Sequence, residues 1–220
     1  SIASAVVGLA VITDHYLSEV VEYTAAADQL QHSQNSQNHT RQGSTMKVVV
    51  LTGPESAGKS SLSHALATRF NAPLVSEYVR EFIEQEQRDT CYTDISTIAK
   101  QQLNNELAAR AQRPPLLLLD THVLSNKLWS EVLFNDSPAW IEAALLEQHY
   151  DLIALLSPDG IDWQADPQRC QPEFAQRQQF HQQLANWLHQ HQQPVLALSG
   201  SWQSRYQALE SAIEQLLHTA

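Results

Sequence analysis

Cysteine is almost missing from these 220 residues: Cys91 and Cys170 are the only two. Two thiols cannot make a disulfide scaffold, and neither lies in a C-x-x-C pair or beside histidine at zinc-ligand spacing. The chain therefore reads as one made for a reducing, cytoplasmic compartment. Basic residues are scarce as well. Thirteen Lys and Arg against 24 Asp and Glu give a formal net charge of -11, and no Lys/Arg-dense run offsets it. A polyanion would be repelled, which argues against a nucleic-acid partner. Long hydrophobic runs are missing too. The apolar opening stretch, residues 1–12, falls short of the ~20 needed to span a bilayer and has no basic segment before it, so no membrane anchor or signal is expected. His181, His189 and His191 sit in a Gln-rich helical stretch without acidic or thiol companions, which leaves metal binding there without support.

Methionine occurs once, at Met46. Before it, residues 13–30 can form a helix with Tyr16, Val20 and Tyr23 on one face, and residues 31–45 are polar and low in complexity, the composition of a disordered linker. The chain is long enough for one α/β domain with a short appendage. The expected division is an N-terminal extension over 1–45, upstream of a natural start at Met46, and a folded domain over 46–220.

What the chain does have is an apolar run, Val48-Val49-Val50-Leu51, feeding Thr52 and then Gly53-Pro54-Glu55-Ser56-Ala57-Gly58-Lys59-Ser60-Ser61. The two glycines are spaced as G-x-x-x-x-G-K-[ST] requires, so backbone N–H groups can converge on an anion where side chains would obstruct them. Lys59 would reach the β- and γ-phosphates of ATP, Ser60 would hold Mg²⁺, and a helix over 59–70 would add its positive dipole end.

Further strands are expected over 73–76, 116–120, 151–156 and 194–198. Helices are expected over 78–86, 122–134, 138–149, 173–191 and 206–217, and a long one runs from an Asp94 N-cap to the stop at Pro114-Pro115. Strands alternating with helices predict a three-layer α/β fold with a five-stranded parallel sheet. Its ligands belong at the carboxyl ends of the strands. Glu77, Asp120, Gly200 and the aperiodic stretch 157–172 fall there. That stretch is too long for an ordinary connection and reads as a lid loop. Phosphoryl transfer asks for positioning and neutralisation of spreading charge. Asp120 suits the metal, Arg169 and Arg177 could close over the transferring group, and Glu77 could accept a substrate hydroxyl's proton. Trp163 could stack on a planar ring or anchor the lid.

These residues together resemble the ribosylnicotinamide kinase family, the kinase domain of NadR-type proteins. The resemblance covers essentially all of 46–220 through GPESAGKS (53–60), SEYVREFI (76–83), LLDT (118–121), KLWS (127–130), YDLIALLSPDGIDWQADPQR (150–169), RQQFHQQL (177–184) and GSWQSRY (200–206). It implies a P-loop nucleoside/nucleotide kinase-like fold and ATP- and Mg²⁺-dependent phosphorylation of nicotinamide riboside at its 5′-hydroxyl, giving nicotinamide mononucleotide for NAD salvage. By the same resemblance Glu77, Tyr78, Arg80 and Asp120 lie on the nucleoside and metal side, and Trp163, Asp166 and Arg169 belong to the lid. The chain departs from the family's D-T-D with Asp120-Thr121-His122. Residues 1–45 are too few for an adenylyltransferase domain and no H-x-G-H occurs, so a stand-alone kinase is expected. Two other readings stand beside it: a deoxynucleoside kinase-like enzyme, and a non-enzymatic ATP-binding regulator.

Overall fold

The computed structural model describes residues 46–165 and 168–219. The extension, with its expected helix and linker, lies outside them. In chain order the elements are β1 (Lys47–Thr52), α1 (Lys59–Phe70), β2 (Leu74–Val75), α2 (Tyr78–Glu86), α3 (Tyr92–Ala111), β3 (Leu116–Asp120), α4 (Val123–Phe134), α5 (Ala139–Glu147), β4 (Leu152–Leu156), α6 (Phe174–Gln190), β5 (Val195–Leu198) and α7 (Trp202–His218). The five strands form one parallel sheet in the order β2-β3-β1-β4-β5. No helix among the described residues is long and apolar enough to cross a membrane.

Alternation along the central strands divides the interior into two cores. Val48 and Val50 of β1, with Leu117 and Leu119 of β3, face α3, α4, α5 and α6, packing on Leu103, Leu124, Ile141 and Leu184. Val49 and Leu51, with Leu116 and Leu118, face α1 and α7, packing on Leu62, Leu66, Leu209 and Ile213. Both faces of the sheet are covered, which is why its strands read as unbroken apolar runs.

Of the boundaries that differ from the sequence pattern, three have a visible cause. Asp94 is not the N-cap of α3 but its third residue: Cys91 caps, and Asp94 Oδ2 accepts the Cys91 N–H at 2.8 Å. The last helix starts at Trp202 rather than 206, because Ser201 Oγ accepts the Ser204 N–H at 3.2 Å and starts the helix ahead of its apolar periodicity. Asp151 stands just before β4 and uses its carboxylate to accept the Val48 N–H at 2.8 Å.

Candidate active site

The loop after β1 is shaped by a close approach. Gly53 sits at φ 154°, and a Cβ there would meet the Leu156 carbonyl oxygen of β4 at 2.6 Å, so no other residue fits without moving the backbone. Lys59 folds back over the loop, donating from Nζ to the carbonyls of Gly53 (3.0 Å) and Pro54 (2.9 Å). Ser61 Oγ donates to Gly58 O at 3.0 Å and accepts from Trp202 Nε1 at 3.0 Å.

A cavity of about 870 Å³ opens over this loop. Its lining combines residues 55–61, Glu77, Arg80, Ser125 and Asn126 with the apolar side chains of Val79, Ile83, Ile95, Ile98, Trp129, Leu133 and Phe134. A smaller cavity of about 310 Å³ shares Ser60, Glu77 and Arg80 with it and reaches Asp120, Tyr78 and His64. Of the sequence-derived nucleotide contacts, Glu55 through Ser61 line the large cavity, whereas Gly53, Pro54, Arg177 and Gly200 do not. Tyr78 and Asp120 belong to the small cavity, Trp163 to neither, and Asp166 lies outside the described residues.

Glu77 stands at the junction of the two spaces, at the N-terminus of α2. Burial raises its pKa and the Asp120 charge adds to this, while Lys59 and Arg80 oppose it. The Arg80 Nε–Glu77 Oε2 distance is 3.4 Å, so the i,i+3 ion pair exists and still faces the cavity. Asp120 ends β3 with 4% exposure, and its Oδ1 is buried with no hydrogen-bond partner among the described residues. An unpartnered carboxylate oxygen in the same cavity as Ser60 and Glu77 fits a divalent cation. No group of three or more His, Cys, Asp and Glu forms a metal cage among the described residues. Mg²⁺ bound mainly through substrate phosphates needs none.

His122, where the family has a carboxylate, is turned into the core. It is fully buried, edge-on to Tyr150 at 5.1 Å between ring centroids, and lines neither cavity. Burial, aided by Arg110, pushes its pKa down to about 3, so the ring is neutral.

The segment between β4 and α6 lies across the phosphate loop and is held by it. Glu55 accepts the backbone N–H groups of Cys170 (3.1 Å) and Gln171 (2.9 Å). Ser56 Oγ accepts from Gln164 N at 3.0 Å and donates to Asp162 O at 3.3 Å. Glu55 and Ser56 thus touch the lid as well as the cavity. Arg169 lines the cavity and donates to Gln164 O. Burial and the Glu55 carboxylate push the Cys170 thiol up to about 11, which leaves it protonated and a poor nucleophile. Trp163 is half-buried, with Nε1 shielded and unpartnered among the described residues. Arg177, in the second turn of α6, is 5% exposed; its guanidinium lies 5.7 Å from the Phe174 ring, and Nε and Nη1 are unpartnered among the described residues.

Trp129, packed 4.8 Å from Phe180, lines the cavity together with Phe134 and Trp202. Sequence reasoning passed over it, because an aromatic among Val123, Leu124 and Leu128 reads as ordinary helix core. Asn126 and Trp202, also in the wall, carry no spacing signal at all. Arg205 stands in the GSWQSRY stretch, but as a single cation in an amphipathic helix it was given no role.

Comparison with known proteins gives one family and several relatives. A family profile described as an AAA domain, AAA_28, matches residues 48–205. The trifunctional NAD biosynthesis/regulator protein NadR of Escherichia coli (strain K12) is 24% identical over 147 residues, covering 65% of this chain and 36% of that protein. The chain thus spans about a third of the length of that relative. A crystal structure of a NadR protein in complex with NR superposes with a TM-score of 0.62 at 22% identity, over 77% of this chain and 51% of the other. Deoxyadenosine kinase from M. mycoides with bound dATP superposes with a TM-score of 0.58 at 13% identity, over 76% of this chain and 99% of the kinase. The fold is that of the P-loop kinases.

Proposed function

The chain belongs to the AAA domain family AAA_28, and we propose that within it this protein is a ribosylnicotinamide kinase, transferring the γ-phosphoryl group of ATP to the 5′-hydroxyl of nicotinamide riboside. The observation that carries this reading is the cavity of about 870 Å³: residues 55–61 of the phosphate-binding loop, Glu77 and the apolar side chains of Ile95, Ile98 and Trp129 line one space. Donor and acceptor would share one enclosure, and a group able to take the acceptor's proton is in its wall. The similarity to NadR supports the choice of nucleoside.

In this reading Lys59 leaves the carbonyls of Gly53 and Pro54 for phosphate oxygens, a short movement, because those carbonyls belong to the loop that binds the phosphates. The N–H groups from Glu55 through Ser61 receive the remaining phosphate charge. Glu77 orients the hydroxyl and accepts its proton; a carboxyl raised by burial is a stronger base than an ordinary one. Ser60 and Asp120 would hold Mg²⁺, which when bound neutralises charge on the phosphates. Arg169 brings a further positive charge from the lid. Trp129 gives the cationic pyridinium ring an aromatic face, an attraction of roughly 0.5 to 2 kcal/mol depending on desolvation. Small molecules, not nucleic acid or membrane, are its partners, and the cytoplasm is its place of work.

The second reading is a deoxynucleoside kinase, favoured by the likeness to a deoxyadenosine kinase along 99% of that enzyme's length. A turnover screen with ATP over nicotinamide riboside, deoxyadenosine, deoxycytidine and the common ribonucleosides separates the two. Lys59→Ala serves as the control, with turnover expected to fall by about 10² or more. Turnover of a deoxynucleoside well above that of nicotinamide riboside would replace the first reading with the second. No turnover of any nucleoside despite ATP binding would make the protein a regulator.

A further inference from the structure

Arg205, in the first turns of α7, is completely buried and forms no ion pair among the described residues. Its Nε donates to Gly200 O (2.9 Å), its Nη1 to Ser157 O (2.8 Å) and Ala57 O (3.1 Å), and its Nη2 to Asp159 O. Three loops, those leaving the carboxyl ends of β1, β4 and β5, meet on one guanidinium. Burial pulls its pKa down, with the Asp159 charge opposing, yet a guanidinium stays protonated in proteins. A cation withdrawn from water is strongly penalised and is tolerated only when thoroughly hydrogen-bonded. Here carbonyl dipoles supply that compensation.

The consequence for the phosphate loop follows from the planar trans peptide, whose C=O and N–H point in opposite directions. Arg205 draws the Ala57 carbonyl inward. The N–H of Gly58, at the other end of the same peptide, is thereby turned away from the core, on the side where Ala57 and Gly58 line the large cavity. The geometry points to Arg205 as a positioning residue for anion binding: it sets the 57–58 peptide with its N–H toward the phosphates and ties that setting to the lid root at Ser157 and Asp159. Gly160, the next lid residue, is pressed against Gly200, where a Cβ would meet the Gly200 carbonyl oxygen at 2.8 Å. The inference rests on the loop being the nucleotide-phosphate site, and it is independent of which nucleoside is phosphorylated.

Arg205→Lys keeps the charge, but one ammonium cannot span carbonyls on three loops. Calorimetric titration of the protein with inorganic tripolyphosphate, and separately with adenosine, is the test, with the melting temperature measured alongside. Tripolyphosphate binding is expected to weaken about tenfold or more, the loss of one charge-assisted hydrogen bond's worth of orientation, while adenosine affinity holds. In the wild-type protein the Gly58 amide resonance should shift on adding tripolyphosphate, and in the variant that shift should shrink. If Arg205→Lys does not fold, Gly160→Ala displaces the Gly200 acceptor from outside and should produce the same selective loss. Unchanged tripolyphosphate affinity in a folded variant overturns the inference, as do equal losses for both ligands, or a wild-type Gly58 amide indifferent to tripolyphosphate. Failure of the kinase assay with nicotinamide riboside would leave every one of these measurements intact.

Discussion

The carboxylate of Glu55, inside the phosphate loop, accepts the backbone N–H of Gln171 at 2.9 Å, across 116 positions of the chain. With the Cys170 N–H bound to the same carboxylate, the loop proposed to receive the nucleotide also holds the lid in place. Glu55→Ala should release the lid without unfolding the domain, because the bonds lost are near the surface and partly replaced by water. Limited proteolysis should then cut within 161–171 several times faster than in the parent, with a melting temperature within a few degrees of it. An unchanged cleavage rate would show that the lid is secured without Glu55, by Ser56 and Arg205.

Trp129 and Trp163 should fail differently. Trp129→Ala removes the ring that lines the cavity and should raise KM for the riboside by roughly two- to thirtyfold, the equivalent of a cation–π contact of 0.5 to 2 kcal/mol, with KM for ATP unchanged. Trp163→Ala should leave both KM values close to the parent, since its side chain lines neither cavity. Steady-state kinetics varying each substrate in turn decides between them, and the reverse pattern would put the riboside under the lid.

Glu77→Gln should trade activity for stability. Its carboxyl is harder to ionise in the folded protein than in the unfolded chain, so ionisation works against folding once the pH rises above the ordinary carboxylate range. The variant should melt higher than the parent at pH 8, with the gain vanishing at pH 4, while kcat falls by about 10² or more through loss of the base. A parent whose kcat does not decline as the medium is acidified toward the carboxylate range would remove Glu77 from proton transfer.

His122 sets an acid limit on stability. The folded ring stays neutral down to about pH 3, whereas the unfolded ring takes a proton near 6.5. Unfolding therefore binds a proton in that window: the stabilisation is complete above pH 6.5 and drains away as the pH falls, by roughly 1.4 kcal/mol per unit. His122→Phe should flatten the dependence between pH 6 and 4 in denaturant melts. Equal slopes for parent and variant would mean that the buried ring is protonated or released before the fold gives way.

Elements defined by neighbouring residues were legible from the chain alone. The glycine spacing before Lys59 announced β1, the loop and α1, and both Tyr78–Glu86 and Leu116–Asp120 fall where periodicity and the apolar run put them. The lid was legible as a lid but not in its orientation. The course of 162–165 and 168–171 is set by bonds to Glu55 and Ser56 more than a hundred residues away, and no local pattern encodes them. Trp163 drew notice because it stood alone in a polar loop. Trp129 escaped because helical cores are full of such residues. Arg205 was assigned no role; its carbonyl partners come from three separate stretches of chain.

The split interior has a consequence for how this scaffold can change. Leu62, Leu66, Leu209 and Ile213, beneath the phosphate loop and around the helix that carries Arg205, belong to one core. Ile95, Leu103, Leu124 and Leu128, beneath the wall that carries Trp129, belong to the other. Substitutions in one core reach the other only through strand backbone, and sites separated in this way are close to additive. A lineage can therefore repack the core beneath Trp129, and with it the apolar wall of the cavity, while the core beneath the phosphate loop stays as it was.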